Sequence, residues 1–229
     1  MSGTSLDGVD YALCEVSKNH IKLLSITSFE YPRKIRQRLM HAATNKLLSY
    51  DLAQLHHDLG RFYADKAPAQ KFDYVGLHGQ TIFHNPKRPL AATFQLGEPA
   101  YLSARFRVPV VSQFRTMDLA LQGQGAPLAT LFHKRVFGDP KHDVAVNNLG
   151  GISNVTYLPS KSSGDKILSF DTGPANMLVD RAMSHFTHGK KHFDQDGDFA
   201  SRGISRPDII ASWLKHRFFK NASTKEHRP

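Results

Sequence analysis

The chain has 229 residues with 40% hydrophobic content, 16 Gly and 12 Pro, values of a globular protein that exclude disordered and fibrous classes. Its length allows one large domain or two small ones, and no apolar run approaches a membrane span or a secretory signal. The net charge is +10, but Arg33-Lys34-Ile35-Arg36-Gln37-Arg38 and the basic tail lack the aromatic interleaving of a nucleic-acid reader. They read as a solvated helix face and a tail, whose field also favours anionic small substrates. Cys14 is the lone cysteine, so no disulfide framework forms within one chain and the cytoplasm is the expected compartment.

The chain opens on Ser2-Gly3-Thr4-Ser5-Leu6-Asp7-Gly8-Val9-Asp10, a turn whose Gly N–H groups and hydroxyls suit phosphate oxygens. Asp7 and Asp10 suit Mg2+, which takes one or two carboxylates and keeps its waters. No P-loop is present. Residues 9–16 and 21–30 read as strands joined at Ser17–His20. Pro32 opens a helix with Ile35, Leu39 and Met40 inward, and a second helix over Leu52, Leu55, Leu59 and Phe62 starts at Ser49 or Asp51. His56 and His57 are expected on different sides of that helix.

Phe72–Leu77 is expected as a short strand ending at His78-Gly79-Gln80-Thr81, a row of hydrogen-bonding groups such as sugar hydroxyls require. Ala92–Leu96 is a further strand, Gly97-Glu98-Pro99 opens a helix over 100–106, and Val108–Val111 is a short buried strand. Asp118 precedes the glycine-rich turn Leu121–Leu128, where partial burial would make its carboxylate a general base. A helix follows to Phe137. This order suits an α/β mixed sheet with helices on its faces.

Asp139-Pro140-Lys141 is the expected boundary, after which the opening pattern restarts. Val144–Val146 leads to the turn Asn147-Asn148-Leu149-Gly150-Gly151-Ile152-Ser153-Asn154, then to strands at 155–158 and 167–170. Two such turns facing one another would hold nucleotide phosphates between two domains. Asp171-Thr172-Gly173-Pro174 reads as a strand end feeding a helix, with Pro174 in the first helical turn and an anion seat at exposed N–H groups. Asp171 would act on metal-bound water. Asp194-Gln195-Asp196-Gly197-Asp198 is not a calcium loop, because position twelve is Ser205 where Glu is needed.

Together these stretches resemble anhydro-N-acetylmuramic acid kinases, within the sugar kinase, Hsp70 and actin superfamily. The similarity runs through SGTSLDGVD at 2–10, HGQT at 78–81, residues 94–120, GQGAPLATLFH at 123–133, NNLGGISNVTYL at 147–158, DTGPANMLVD at 171–180 and FDQDGDFASRG at 193–203. The resemblance implies duplicated ribonuclease-H-like domains of the actin-like ATPase kind. The first would occupy 1–140, lacking its initial strand, and an incomplete second one 141–229.

It also implies that ATP, Mg2+ and water open the 1,6-anhydro ring of anhydro-N-acetylmuramic acid and phosphorylate O6. Asp118 matches the catalytic base. Gly3, Thr4, Ser5, Leu6, Asp7, Gly8, Val9 and Asp10 match the first phosphate turn, and Gly150, Gly151, Ser153 and Asn154 the second, with Asp171 and Gly173 beside it. His78, Gln80, Thr81, Gln95 and Glu98 fall in segments assigned to the sugar cleft.

The chain departs from the family pattern at Gln122, where a glycine is usual, and in its tail, where a reading-frame shift near Lys220 is the expectation. A non-enzymatic alternative stays open: a remnant that binds the sugar, or a partner such as a second copy in a homodimer, without phosphoryl transfer.

Overall fold

The computed structural model describes residues 6, 8–18, 20–87, 89 and 91–216. Gly3, Thr4, Ser5 and Asp7 of the expected site lie outside these residues, as does the tail around Lys220. The backbone forms two compact units, Met1–Leu128 and Ala129–Pro229.

In the first unit, β1 (Gly8–Val16) and β2 (Ile21–Glu30) pair antiparallel, with Val9 opposite Phe29. α1 (Arg33–Ala43) follows Pro32 and buries Leu39 and Ala42. Ile35 joins that face, but Met40 is 53% exposed, against expectation. Residues 35, 39 and 42 share one stripe at the helical period, and Met40 lies a quarter-turn away from it. α2 (Ser49–Lys66) turns Leu55, Leu59, Tyr63 and Ala64 inward. These side chains, with Val9, Tyr31, Leu77, Leu96 and Leu102, form one apolar core.

β3 (Val75–Gly76) and β6 (Val110–Val111) form a parallel pair shorter than either expected strand, and Val111 is exposed rather than buried. β4 (Gln80–Asn85) and β5 (Ala92–Leu96) pair antiparallel. The expectation that the chain leaves a strand at His78–Thr81 therefore changes: Gln80 and Thr81 begin a new strand. α3 (Ala100–Phe106) follows, and α4 (Phe114–Ala120), which the sequence reading did not include, carries Asp118.

In the second unit, α5 (Ala129–Phe137) precedes a three-stranded antiparallel sheet ordered β7 (Val144–Leu149), β8 (Ile152–Leu158) and β9 (Leu168–Pro174). α6 (Asn176–Phe186) starts after β9, so Pro174 ends a strand and does not open a helix. A single 3-10 turn, α7 (Asp198–Ser201) and α8 (Pro207–Trp213) complete the described unit. The Asp194 carboxylate accepts the Phe199 and Ala200 amides at 2.9 Å each, a helix cap. Among the described residues the strands form four separate ladders rather than the one mixed sheet expected. The elements are nonetheless those of a mixed α/β protein.

Candidate functional site

In the first unit a chain of hydrogen bonds joins the His78 turn to the Asp118 loop. His78 Nδ1 meets the Gly79 carbonyl at 2.7 Å, and Arg115 Nε donates to His78 Nε2 at 3.1 Å. Arg115 Nη1 donates to the Gly125 carbonyl at 2.7 Å, and the Gly125 amide donates to Asp118 Oδ2 at 2.6 Å. Burial, and then the Arg115 charge, lower the proton affinity of His78, so its Nε2 lone pair is available to accept from Arg115. Burial also pulls the Arg115 pKa below its ordinary value.

Asp118 is exposed, contrary to the partial burial expected of it. It sits in the last turn of the short helix α4, and the chain turns back over it. Oδ1 has no protein partner among the described residues. A Cβ on Gly123 would overlap the carboxylate, so a larger residue at 123 would push the Asp118 side chain out of its present position. Gln122 just before it stands at φ +68°, in the left-handed region.

Arg115 is the residue that sequence reasoning missed. It lies three positions before Asp118 on one helix face, and that spacing was the available signal.

Gln80 is fully buried, with Tyr31 OH donating to Oε1 at 3.3 Å. Gln95 is 5% exposed, donates to Thr93 Oγ1 at 2.7 Å and Thr81 Oγ1 at 3.3 Å, and leaves Oε1 without a partner among the described residues. Glu98 caps α3: Oε1 accepts the Ala100 amide at 2.9 Å, and Oε2 lies 3.2 Å from His56 Nε2. The Ala100 amide, with His56 behind it, holds the Glu98 carboxyl below the usual range. His57 reaches Tyr101 OH at 3.1 Å. Both histidines therefore address the start of α3, where different sides of α2 were expected.

Of the first glycine turn, Leu6 stands at φ +57° and packs on the core, and Val9 is buried in it. The Val9 backbone pairs with Phe29 in the β1–β2 ladder. Gly8 lies so close to the Phe29 carbonyl that a Cβ would overlap it. Asp10 is exposed and accepts the Ser28 hydroxyl at 2.6 Å. Mg2+ takes one or two protein carboxylates and fills its other positions with water and phosphate oxygens, and the exposed Asp10 can supply one such carboxylate. Among the described residues no group of three His, Cys, Asp or Glu could hold a metal.

In the second unit, Gly150 and Gly151 form the tip between β7 and β8. Cβ atoms there would meet nothing closer than 3.7 Å and 4.0 Å, and neither residue stands at positive φ. Neither backbone conformation nor packing demands glycine, whereas close approach of a phosphate does.

The carbonyls of this tip are in use. Gly151 accepts the Ala175 amide at 3.0 Å and the Met177 amide at 3.2 Å, and Gly150 accepts the Asn176 amide at 3.0 Å. These are the N–H groups expected to form an anion seat after Pro174, so they are already committed. Ser153 Oγ donates to Asn147 Oδ1 at 3.3 Å and accepts from Thr172 Oγ1 at 2.7 Å, tying the strand ends together. Asn154 pairs in register with Asp171, and Ser153 with Gly173. Asp171 is exposed, and Gly173 is buried at φ +149°.

A family model described as anhydro-N-acetylmuramic acid kinase matches residues 1–227. The anhydro-N-acetylmuramic acid kinase of Crocosphaera subtropica is 38% identical over 240 residues, covering 98% of this chain and 63% of the relative. That of Caldanaerobacter subterraneus is 35% identical over 96% of this chain and 61% of its own length. That of Shewanella frigidimarina is 35% identical over 98% and 62%. The chain thus spans 61–63% of the length of these three relatives. Among the described residues no helix is long and apolar enough to cross a membrane.

Proposed function

The chain belongs to the anhydro-N-acetylmuramic acid kinase family, and on that premise we propose that it opens the 1,6-anhydro ring of anhydro-N-acetylmuramic acid with water and phosphorylates O6 from ATP. The products are N-acetylmuramic acid 6-phosphate and ADP. The observation that carries this reading is the Asp118 carboxylate, exposed on α4 beside the glycine loop, with Oδ2 fixed by the Gly125 amide and Oδ1 without a protein partner among the described residues. Such a group is oriented by one oxygen and works with the other.

In this reading Asp118 Oδ1 takes a proton from the water whose oxygen bonds to the anomeric carbon. The C1–O6 bond breaks, and O6 accepts the γ-phosphoryl group. Bound Mg2+ would offset charge on the phosphates, with Asp10 and Asp7 as its protein ligands. Gly150 and Gly151 leave the room a phosphate needs, residues 3–10 form a phosphate-binding turn of the first unit, and Asp171 acts on a metal-bound water. His78, Gln80, Thr81, Gln95 and Glu98 belong to the sugar side, where Gln80 and Glu98 act by fixing the backbone around the turn.

A first ribonuclease-H-like domain at 1–140 and the start of a second at 141–229, in the cytoplasm, complete the proposal. The names of the relatives speak for a kinase and lend nothing to the sugar-binding remnant.

The test is phosphate transfer from ATP to anhydro-N-acetylmuramic acid, with Asp118→Asn beside the parent chain. Asn keeps an oxygen for the Gly125 amide but cannot take the proton. A fall in kcat of about 10²–10⁴-fold is expected. Equal turnover by the two proteins would refute the role given to Asp118.

A further inference from the structure

We infer that Arg115 is the positioning residue for Asp118, locking the Gly123–Gly125 loop to the His78–Gly79 turn through a single guanidinium. Its catalytic consequence rests on the kinase reading above. The planar fork of Arg115 holds two acceptors at once, the His78 Nε2 lone pair at 3.1 Å and the Gly125 carbonyl at 2.7 Å. Gly125 then passes its amide to Asp118 Oδ2 at 2.6 Å. One loop residue is therefore gripped on its carbonyl side by Arg115 and grips the carboxylate on its amide side.

Two further observations support the lock. Gly125 stands at φ +66°, and a Cβ there would come within 3.1 Å of the Arg115 carbonyl and 3.2 Å of His84 Cε1. The loop is seated against both α4 and β4. In addition, Arg115 is half-buried yet pairs with no carboxylate among the described residues. A partly desolvated cation with neutral acceptors is costly to keep for stability alone, and Lys cannot reproduce its two-pronged geometry. The His78 turn and the Asp118 loop therefore order together, and a ligand that steadies the former steadies the latter.

The test is amide hydrogen exchange followed by NMR on the whole chain, with kinetics on the same samples. Loss of the guanidinium in Arg115→Ala removes a charge-assisted bond, so Gly125 exchange is expected to rise about tenfold to a hundredfold. The core amides of Leu55 and Leu59 should keep their protection. On the kinetic side kcat falls while KM for ATP holds, a split that general loosening would not produce.

Unchanged Gly125 exchange with an intact core would overturn the inference. If Arg115→Ala also loses core protection, Arg115→Lys decides by the same comparison, since its ammonium replaces only one prong. A parent chain without turnover would refute the kinase reading, while the exchange result would still decide the positioning.

Discussion

His133 on α5 and Thr156 on β8 share a buried hydrogen bond, Nδ1 to Oγ1 at 2.9 Å. Thr156 continues it to Ser169 Oγ on β9 at 3.0 Å. Thr156 is 1% exposed, so no water can replace its hydroxyl. Thr156→Val keeps the shape and strips the hydroxyl, leaving two buried groups short of a partner. The expected loss is about 1–3 kcal/mol, read as a lower urea midpoint. An unchanged midpoint would show that the polar seam contributes nothing.

The tip between β7 and β8 separates ligand binding from folding. Because Gly150 and Gly151 have space around a Cβ and ordinary φ, alanine at either position should leave the melting temperature within about a degree, as for a neutral surface change. ATP affinity, measured by calorimetry, should fall roughly tenfold or more where the methyl blocks a phosphate. If both variants bind ATP like the parent, the second turn is no phosphate cradle.

Gln122 carries backbone strain at φ +68°. Gln122→Gly should relieve it and stabilise the chain by about 1 kcal/mol, less the entropy glycine adds to the unfolded state. Thermal unfolding checks this, and a lower midpoint would mean that the Gln side chain does more for the loop than its conformation costs.

His78 gives the chain an acid-sensitive term. Burial, and then Arg115, depress its folded pKa, so below the ordinary imidazole value of about 6.5 the unfolded chain binds the proton that the folded one refuses. Stability therefore rises with pH through that window and is lost on acidification from neutrality towards the folded pKa. Urea midpoints at pH 7.5 and 5.5 should differ more for the parent than for His78→Gln. Equal differences would remove His78 from the account.

Much of the architecture was legible where periodicity was strong. Leu55, Leu59 and Phe62 mark α2, and the alternation around Ser17–His20 marks the first hairpin, within a residue of the observed ends. Short elements escaped. α4 has seven residues and starts from Gln113 at φ +62° with no side-chain cap, so nothing in composition announces it. β4 was hidden because Gln80 and Thr81 are polar and read as loop, although burial of Gln80 against Tyr31 makes it part of the interior.

At the candidate site, residue types pointed to the Asp118 loop and to both glycine turns. Sequence could not show that Arg115 reaches His78, 37 positions away in the chain, since such a link exists only after folding. Nor could it show that the amides after Pro174 are spent on the carbonyls of Gly150 and Gly151.

Those three amide bonds also make the glycine tip and α6 one mechanical piece. A ligand that pulls the tip cannot be accommodated by local give, because the head of the helix moves with it. At 1.5 Å per residue, an 11-residue helix carries such a displacement about 16 Å along its axis. The Gly150–Gly151 tip is therefore a handle on the rod that ends at Phe186, and whatever grips it also sets the rod's angle.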